Sequence, residues 1–214
     1  MLDFETKYWS QGFSRIAGVD EVGRGPLCGP VVSSAVVFPV DLVVPDIDDS
    51  KKLSPKKRDK LYDIIMNEAL SVGIGVVHED KIDEINILNA TILSMKRAVE
   101  DLDISPDILL VDGNSKNIST IQQESIIKGD AKSQSIAAAS IVAKVTRDRM
   151  MKEYDKVFPD YGLAKNMGYG TKEHISALKA MFSTPIHRQS FKPVEDCMPS
   201  MKDIDDIEVV AEAE

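Results

Sequence analysis

The sequence is poor in the residues that build disulfide frameworks, zinc sites and membrane spans. Its 214 residues include two cysteines, Cys28 and Cys197, and no CxxC or Cys/His zinc spacing involves either of them. No apolar run approaches the roughly 18 residues of a membrane-spanning helix, and the first residues lack the apolar stretch of a signal peptide. We therefore expect a cytoplasmic protein with free thiols and no membrane partner.

Acidic residues outnumber basic ones, 35 against 26, so the formal net charge is −9. Nucleic-acid-binding proteins contact phosphates through Lys and Arg, so this balance weighs mildly against a nucleic-acid partner. However, residues 202–214 contain one lysine and six acidic residues, which places −5 of the −9 charge in this segment. Basic clusters occur elsewhere, at residues 51–58 and 144–149. The charge therefore does not exclude a nucleic-acid substrate.

The composition is that of a folded domain, with 43% hydrophobic and 29% charged residues. We find no internal repeat, and the acidic C-terminal end is the single biased segment. The sequence thus predicts one domain over residues 1–191, including a helical C-terminal part. Residues 192–214 are expected to form an acidic, mobile tail.

Periodicity and turn residues predict five strands and four main helices. The strands are expected at residues 16–20, 31–37, 72–77, 108–111 and 124–127. The helices are expected from Ser54-Pro55 onward and at residues 89–102, 133–154 and 171–181. Early strands follow one another and later strands alternate with helices. This order favours an α/β fold with a mixed five-stranded sheet, antiparallel at first and parallel later, flanked by helices.

Four acidic residues occupy positions where such a sheet can place a catalytic site. Asp20 and Glu21 follow one apolar strand, Asp112 ends another, and Asp130 precedes the longest helix. Ligand sites of α/β sheets form beyond the carboxyl ends of the strands. Phosphodiester hydrolysis is well served there by two hard cations, which prefer carboxylate ligands.

Simpler interpretations of these carboxylates stay open at the level of spacing alone. Asp112 precedes a glycine and could be an ordinary turn residue. Asp130 could be an acid at a helix N-terminus, without a chemical role. Asp20 and Glu21 point to opposite faces of an extended strand unless the strand ends or bends there.

The motifs of the chain settle which interpretation we adopt. Residues 17–32, AGVDEVGRGPLCGPVV, closely resemble the opening motif of ribonuclease HII, the type 2 ribonuclease H. Similar blocks follow in order: DSKKLS at 49–54, LVDG at 110–113, KGDAK at 128–132, AAASIVAKVTRD at 137–148, GYGTKEH at 168–174 and TPIHR at 184–188. The resemblance covers residues 15–191.

This resemblance implies a ribonuclease H-like fold and a metal-dependent endonuclease. Asp20, Glu21, Asp112 and Asp130 would be the catalytic carboxylates and would hold two Mg²⁺ or Mn²⁺ ions. The expected substrates are RNA–DNA hybrids and duplex DNA that contains single ribonucleotides. The enzyme would hydrolyse the RNA strand and cut 5′ to an embedded ribonucleotide, leaving 3′-hydroxyl and 5′-phosphate ends, as ribonucleotide excision repair requires.

Recognition of the ribonucleotide would fall to a glycine loop and a tyrosine. By resemblance, Gly23, Arg24 and Gly25 bind the ribonucleotide, and Tyr169 stacks on the sugar of the next deoxynucleotide. The loop has a physical logic, because glycines let the backbone approach closely and the 2′-hydroxyl distinguishes RNA from DNA.

Three further residues match positions that contact phosphate in the family: Lys51, Ser140 and Lys144. The simpler interpretation of the lysines is a solvated basic face. Many relatives carry a lysine immediately before the Gly-Tyr pair, and this chain has Met167 there, which predicts one weaker phosphate contact.

The three histidines show no metal spacing. His174 is predicted to be a capping or surface residue of the last helix, and none of the three is predicted to be a catalytic base.

Two other functions remain to be tested against the main one. One is a broader hybrid nuclease without preference for the junction, which the intact Gly-Arg-Gly loop and Tyr169 argue against. The other is a noncatalytic nucleic-acid-binding module, for which we would expect a carboxylate to be missing. We expect a monomer, and the segment after Phe191 contains no clear sliding-clamp motif.

Overall fold

The structure is a computed structural model that describes residues 1–115 and 117–197. Its strands are β1 (Ile16–Val22), β2 (Val31–Val37), β3 (Ser71–Val77), β4 (Ile108–Asp112) and β5 (Gln123–Ile126). Its α-helices are α1 (Asp3–Trp9), α2 (Pro55–Glu68), α3 (Glu79–Glu100), α4 (Gln134–Val157), α5 (Leu163–Asn166), α6 (Lys172–Met181) and α7 (Lys192–Glu195). Short 3₁₀ turns lie at Gly129–Ala131 and Pro159–Tyr161.

The strands form one mixed sheet in the order β3-β2-β1-β4-β5. The first three strands pair antiparallel, whereas β4 and β5 join the sheet in parallel. The predicted mixed five-stranded sheet flanked by helices is therefore confirmed. One boundary differs, because β1 does not stop at Asp20 but continues through Glu21 to Val22.

The chain divides into two compact units. The first comprises Met1–Arg24 and Pro30–Met150 and contains the whole sheet. The second comprises Gly25–Gly29 and the chain from Met151 onward. The Gly-Arg-Gly loop thus changes units between Arg24 and Gly25.

Strand glycines allow helices to lie directly against the sheet of the first unit. A Cβ at Gly18 in β1 would lie 2.0 Å from the backbone carbon of Ser135 in α4. A Cβ at Gly75 in β3 would lie 1.9 Å from the carbonyl oxygen of Ser94 in α3. Such distances exclude any side chain, so these positions fix how closely the helices approach. The alanines at 137–139 of α4 are fully buried, and their small side chains allow close packing of the helix.

Local capping explains where several helices begin. Ser54 precedes Pro55 and its hydroxyl accepts from the backbone N–H of Lys57 (3.3 Å), as an N-cap does. Within α3, Asn86 has a non-helical conformation (φ 65°) and its Oδ1 accepts from the N–H of Asn89 (3.1 Å). The asparagine therefore restarts the helix near Asn89, which is where the sequence predicts its start.

Helix α1 is a feature that sequence periodicity missed. Its Glu5 is buried and accepts hydrogen bonds from the hydroxyl of Ser133 (2.6 Å) and the N–H of Ser135 (3.0 Å). A carboxylate at the first turn of α4 satisfies free N–H groups and favours the positive end of the helix dipole. The short α1 is thus tied to the start of the longest helix.

The second unit is built around its own apolar cluster. This cluster contains Leu27, Cys28, Met151, Tyr161, Leu163, Leu178, Ile186, Val194 and Cys197. Both cysteines are buried and free, as predicted. The predicted acidic tail has α7 at its start, whereas residues 198–214 lie outside the described part, so its mobility stays a prediction.

Within the two described ranges, no helix combines the length and apolar character needed to cross a bilayer.

Candidate active site

The parallel strands bring the predicted carboxylates to one edge of the sheet. In the pairing of β1 with β4, Val19 lies opposite Val111, so Asp20 and Asp112 follow side by side at the carboxyl ends. Asp112 in turn lies opposite Ile126 at the end of β5. Asp130 belongs to the 3₁₀ turn that follows β5. The acidic residues thus lie at the carboxyl ends of the strands, where α/β sheets generally form their ligand sites. We call this the acidic edge of the sheet.

Electrostatic interactions connect the four predicted carboxylates at this edge of the sheet. Burial, then the charges of Glu21 and Asp112, raise the pKa of Asp20 well above its usual value. The pKa of Glu21 is raised by burial and by Asp112, against the lowering effect of Arg24. Burial and then Asp112 also raise the pKa of Asp130. Asp112 therefore interacts with each of the other three acids, as nearby like charges do.

Hydrogen bonds fix the orientation of the two central aspartates. The N–H of Gly129 donates to Oδ1 of Asp112 (2.6 Å). Asp20 accepts from the N–H of Glu21 (2.8 Å), and the nearby Ser140 side chain partly offsets the rise in the pKa of Asp20. The hydroxyl of Ser140 also lies 2.8 Å from that of Ser50. Ser140, predicted to contact phosphate, therefore lies near Asp20, one of the predicted catalytic carboxylates.

Two basic side chains contact the acidic edge. Nζ of Lys51 lies 3.5 Å from Oδ2 of Asp130, and Nη1 of Arg24 lies 3.3 Å from Oε1 of Glu21. Burial lowers the pKa of Lys51, but the negative charges of Asp130 and Asp20 outweigh it and leave the pKa raised. Lys144 is instead paired with Asp148 at 2.7 Å. An open cleft beside these groups is lined by Asp49, Lys51, Lys52, Asp112, Lys128, Asp130 and Ala131.

The donor set fits hard divalent cations. Carboxylate oxygens are the ligands that Mg²⁺ and Mn²⁺ prefer, and the repulsion among these acids is the energy that a bound cation would relieve. The arrangement can therefore concentrate positive charge at a phosphate placed on the acidic edge.

In the second unit, Tyr169 lies beside the last glycine of the loop. A Cβ at Gly25 would be 3.5 Å from Cε1 of the Tyr169 ring, which is 46% exposed and thus accessible to a ligand. Gly168 has a positive φ of 83°, and a Cβ there would lie 2.7 Å from the carbonyl of Cys28. Only glycine fits that position, so Gly168 sets the approach of Tyr169 to the loop.

Comparison with known proteins identifies the family. A family model described as "Ribonuclease HII" matches residues 17–194. The chain is 54% identical over 196 residues to ribonuclease HII of Listeria innocua, covering 92% of this chain and 75% of that protein. The chain belongs to the ribonuclease HII family. It is therefore a ribonuclease H, an endonuclease that hydrolyses phosphodiester bonds.

Solved structures agree with this assignment. Ribonuclease H2 from Pyrococcus horikoshii superposes with a TM-score of 0.75 at 27% identity, covering 86% of this chain and 96% of that one. Ribonuclease HII of Archaeoglobus fulgidus, solved in complex with PCNA, has a TM-score of 0.69 at 25% identity, with coverage of 90% and 99%. Bst-RNase HIII in complex with Mn²⁺ shares the fold, with a TM-score of 0.69 at 18% identity and coverage of 86% and 69%.

The histidines of this ribonuclease HII differ from the sequence-based expectation. His174 is fully buried rather than at the surface, and its Nε2 lies 3.0 Å from Nε2 of His187. Cys28 completes a group of potential metal ligands whose donor atoms all lie within 4.8 Å of one another. Among the described residues, the donor atoms of this group lie close enough together for one metal ion, whereas those of the four carboxylates lie farther apart. Sequence reasoning missed this group, because its three residues lie in separate segments and show no metal-binding spacing.

Burial of His187 predicts a measurable loss of stability in mild acid. Burial and then the charge of His174 lower the pKa of His187 from 6.5 to about 4. As the pH falls below 6.5, His187 therefore becomes protonated in the unfolded chain but stays neutral in the folded chain. Stability is lost progressively until the pH nears 4. Between pH 7 and pH 5 this group should remove about 2 kcal/mol from the free energy of unfolding.

Urea unfolding at the two pH values, with His187→Gln beside the unsubstituted chain, measures this loss. The variant cannot titrate at this position, so its stability should fall less between pH 7 and pH 5. Equal falls in both proteins would contradict the prediction.

Proposed function

We propose that this ribonuclease H hydrolyses the RNA strand of RNA–DNA hybrids and cuts 5′ to single ribonucleotides embedded in duplex DNA. The products would carry 3′-hydroxyl and 5′-phosphate ends. The observation that supports this most strongly is the convergence of Asp20, Glu21, Asp112 and Asp130 at one sheet edge, within a chain whose motifs match the family throughout.

In this proposal the four carboxylates would hold two ions, Mg²⁺ or Mn²⁺. When bound, such ions supply an activated water and neutralise charge on the phosphate. The protein's own part is to orient the carboxylates in a partly buried place. The N–H of Gly129 orients Asp112, and the N–H of Glu21 orients Asp20.

Recognition of the ribose is proposed for Gly23, Arg24 and Gly25 together with Tyr169. Gly25 offers backbone groups with no side chain in front of them, and the exposed Tyr169 ring lies next to it. Backbone N–H and C=O groups can bond a 2′-hydroxyl without reading the base. An aromatic ring stacks on any nucleotide, so the recognition would be independent of sequence.

Lys51, Ser140 and Lys144 are proposed to contact substrate phosphates. Lys51 is 78% exposed at its side chain and can turn from Asp130 to a phosphate. Lys144 would have to exchange its bond to Asp148 for one to the substrate. These contacts should make binding depend on salt.

We propose a monomer that acts in ribonucleotide repair in the cytoplasm, and we propose no sliding-clamp partner. The segment after Phe191, in which the sequence shows no clear clamp motif, lies mostly outside the described residues.

The direct test is cleavage of a labelled DNA duplex that contains one ribonucleotide. With Mg²⁺ or Mn²⁺ we expect a single cut immediately 5′ to the ribonucleotide, because both the ribose and the following deoxynucleotide would be bound. The fragment on the 3′ side should be a substrate for ligation through its 5′-phosphate, and the other fragment should be extended by a polymerase from its 3′-hydroxyl.

An all-DNA duplex of the same sequence is the control and should stay intact. A long RNA–DNA hybrid should be cut at many positions. Binding of either ribonucleotide substrate without any product would instead identify a noncatalytic binding module. Cleavage of the long hybrid alone would identify a hybrid nuclease without junction recognition.

A further inference from the structure

The buried pair His174 and His187 forms the middle of a continuous chain of hydrogen bonds in the second unit. At one end, Nδ1 of His174 lies 3.0 Å from the carbonyl oxygen of Tyr169. At the other end, the backbone N–H of Thr184 donates to Nδ1 of His187 (3.0 Å). The two rings meet through their Nε2 atoms at 3.0 Å.

The partners at the two ends fix the tautomer of each ring. A carbonyl can only accept, so His174 must carry its proton on Nδ1 and leave Nε2 bare. The hydroxyl of Thr184, 2.8 Å from Nδ1 of His187, can donate or accept, but the backbone N–H of Thr184 can only donate, so His187 must leave Nδ1 bare and carry its proton on Nε2. The resulting N–H of His187 points at the bare Nε2 of His174. Two neutral rings thus satisfy every hydrogen bond of the chain without conflict.

One end of this chain reaches Tyr169, and the other reaches the residues that directly follow the glycine loop. The His174 end holds the main chain of Tyr169. The His187 end lies in a segment whose backbone is hydrogen-bonded to the residues after the glycine loop. The N–H of Gly29 donates to the carbonyl of Ile186 (2.9 Å), and the N–H of Arg188 donates to the carbonyl of Leu27 (2.9 Å). Cys28 and His187 form an isolated β-bridge between these bonds. Leu27 also donates to Gly168, next to Tyr169 (2.8 Å).

We propose that His174 and His187 are positioning residues that act as a neutral, hydrogen-bonded pair to set Tyr169 in register with the Gly25–Gly29 segment for recognition of the ribonucleotide. The proposal rests on the proposed function, because it assigns a role to the support of Tyr169. Neither histidine contacts the substrate in it.

The surroundings of the pair favour the neutral state at the pH at which the enzyme is expected to act. Burial lowers the pKa of both histidines, and the two rings lower each other's affinity for a proton. The ionisable groups that face them are the thiol of Cys28 and the phenol of Tyr161 (ring centroid 5.1 Å from that of His187). Neither of these is a carboxylate that would stabilise a charged ring.

The same tautomers disfavour the alternative use of the group, which is a metal site. Zinc would need a bare Nε2 on both rings. His187 would then have to move its proton to Nδ1, where the N–H of Thr184 already points. Two N–H groups would face each other at 3.0 Å, which costs a buried hydrogen bond.

A double-mutant cycle on the embedded-ribonucleotide duplex tests the proposal. The variants are His174→Phe, which keeps a ring but removes the donor to Tyr169, Tyr169→Ala, and both together. If His174 acts through Tyr169, His174→Phe should lower kcat/KM about 10-fold or more in the unsubstituted background and hardly at all in the Tyr169→Ala background. KM should change more than kcat, because the reacting atoms are untouched.

Two further variants keep the test decisive if His174→Phe folds poorly. His187→Gln retains a side-chain N–H donor and should keep most of the activity, whereas His187→Leu should lose it and again show no effect beyond Tyr169→Ala. His78→Gln, at a half-exposed histidine that begins α3, is the matched control and should change nothing.

Equal losses in both backgrounds would overturn the proposal and leave the pair a purely structural feature. Zinc in the purified protein, or a cobalt absorption band that needs Cys28, would overturn it in favour of a metal site. The same assay tests the proposed function separately. That function would be refuted if the unsubstituted protein did not cut 5′ to the ribonucleotide, or if the Tyr169→Ala variant were fully active.

Discussion

Asp112→Asn is expected to lower the cleavage rate about 10³-fold, as loss of a central electrostatic group does, while binding of the duplex is kept. Asp112 is the acid whose charge acts on Asp20, Glu21 and Asp130 alike. Without it the proposed metal site loses the carboxylate that interacts with each of the other three. An asparagine has nearly the same shape, so the change removes charge and little else.

Stability should move in the opposite direction in metal-free buffer. The asparagine Oδ1 can still accept from the N–H of Gly129, as Asp112 does at 2.6 Å. Meanwhile one of the mutually repelling charges is gone. We therefore expect Tm in EDTA to be equal or higher than that of the unsubstituted chain, together with the loss of activity.

Single-turnover cleavage and equilibrium binding of the ribonucleotide duplex check this prediction. Asp63→Asn on the exposed face of α2 is the matched control and should be fully active. An Asp112→Asn variant that retains more than a tenth of the rate would remove Asp112 from the catalytic centre. A variant that is inactive because it is unfolded would show a lowered Tm.

The sequence predicted the sheet and its acidic edge because both depend on local pattern and a general topological rule. Strand β2 is buried along its whole length and was predicted with its observed bounds. Asp20 and Asp112 lie near the carboxyl ends of apolar strands, and parallel pairing of β1 and β4 places them side by side. These features need no knowledge of distant contacts beyond the order of the strands.

The features that sequence reasoning missed depend on contacts between distant segments. Helix α1 is too short for a clear periodicity, and its Glu5 acquires a role only when Ser133 is folded against it. His174 and His187 lie thirteen positions apart, a separation that matches no metal spacing and no helical face. Their pairing becomes visible only when the turn at Thr184 returns the chain to α6.

Arg188→Lys is expected to destabilise the fold by about 3 kcal/mol, the scale of a broken buried charged network. Arg188 is completely buried. Its Nη1 donates to the carbonyl of Pro26 (2.8 Å), and its Nε and Nη2 both donate to that of Gly29 (3.0 and 2.7 Å). A lysine keeps the charge but has no planar fork, so it cannot reach both carbonyls.

The loss should be visible in both stability and substrate binding. For a chain of this size, 3 kcal/mol corresponds to a fall in Tm of about 10 °C. Because the two carbonyls belong to the Gly25–Gly29 segment, the variant should also raise KM for the embedded-ribonucleotide duplex more than it lowers kcat. Thermal unfolding and steady-state kinetics measure the two effects on the same preparation.

Arg15→Lys provides the matched control, because the same change is made at a half-exposed arginine. Arg15 pairs with Asp107 at the surface, where a lysine can replace it with little change. Similar small shifts in Tm for both variants would mean that the guanidinium fork of Arg188 does not hold the loop. A large shift for Arg188→Lys with unchanged KM would mean that Arg188 stabilises the second unit without setting the position of the Gly25–Gly29 segment.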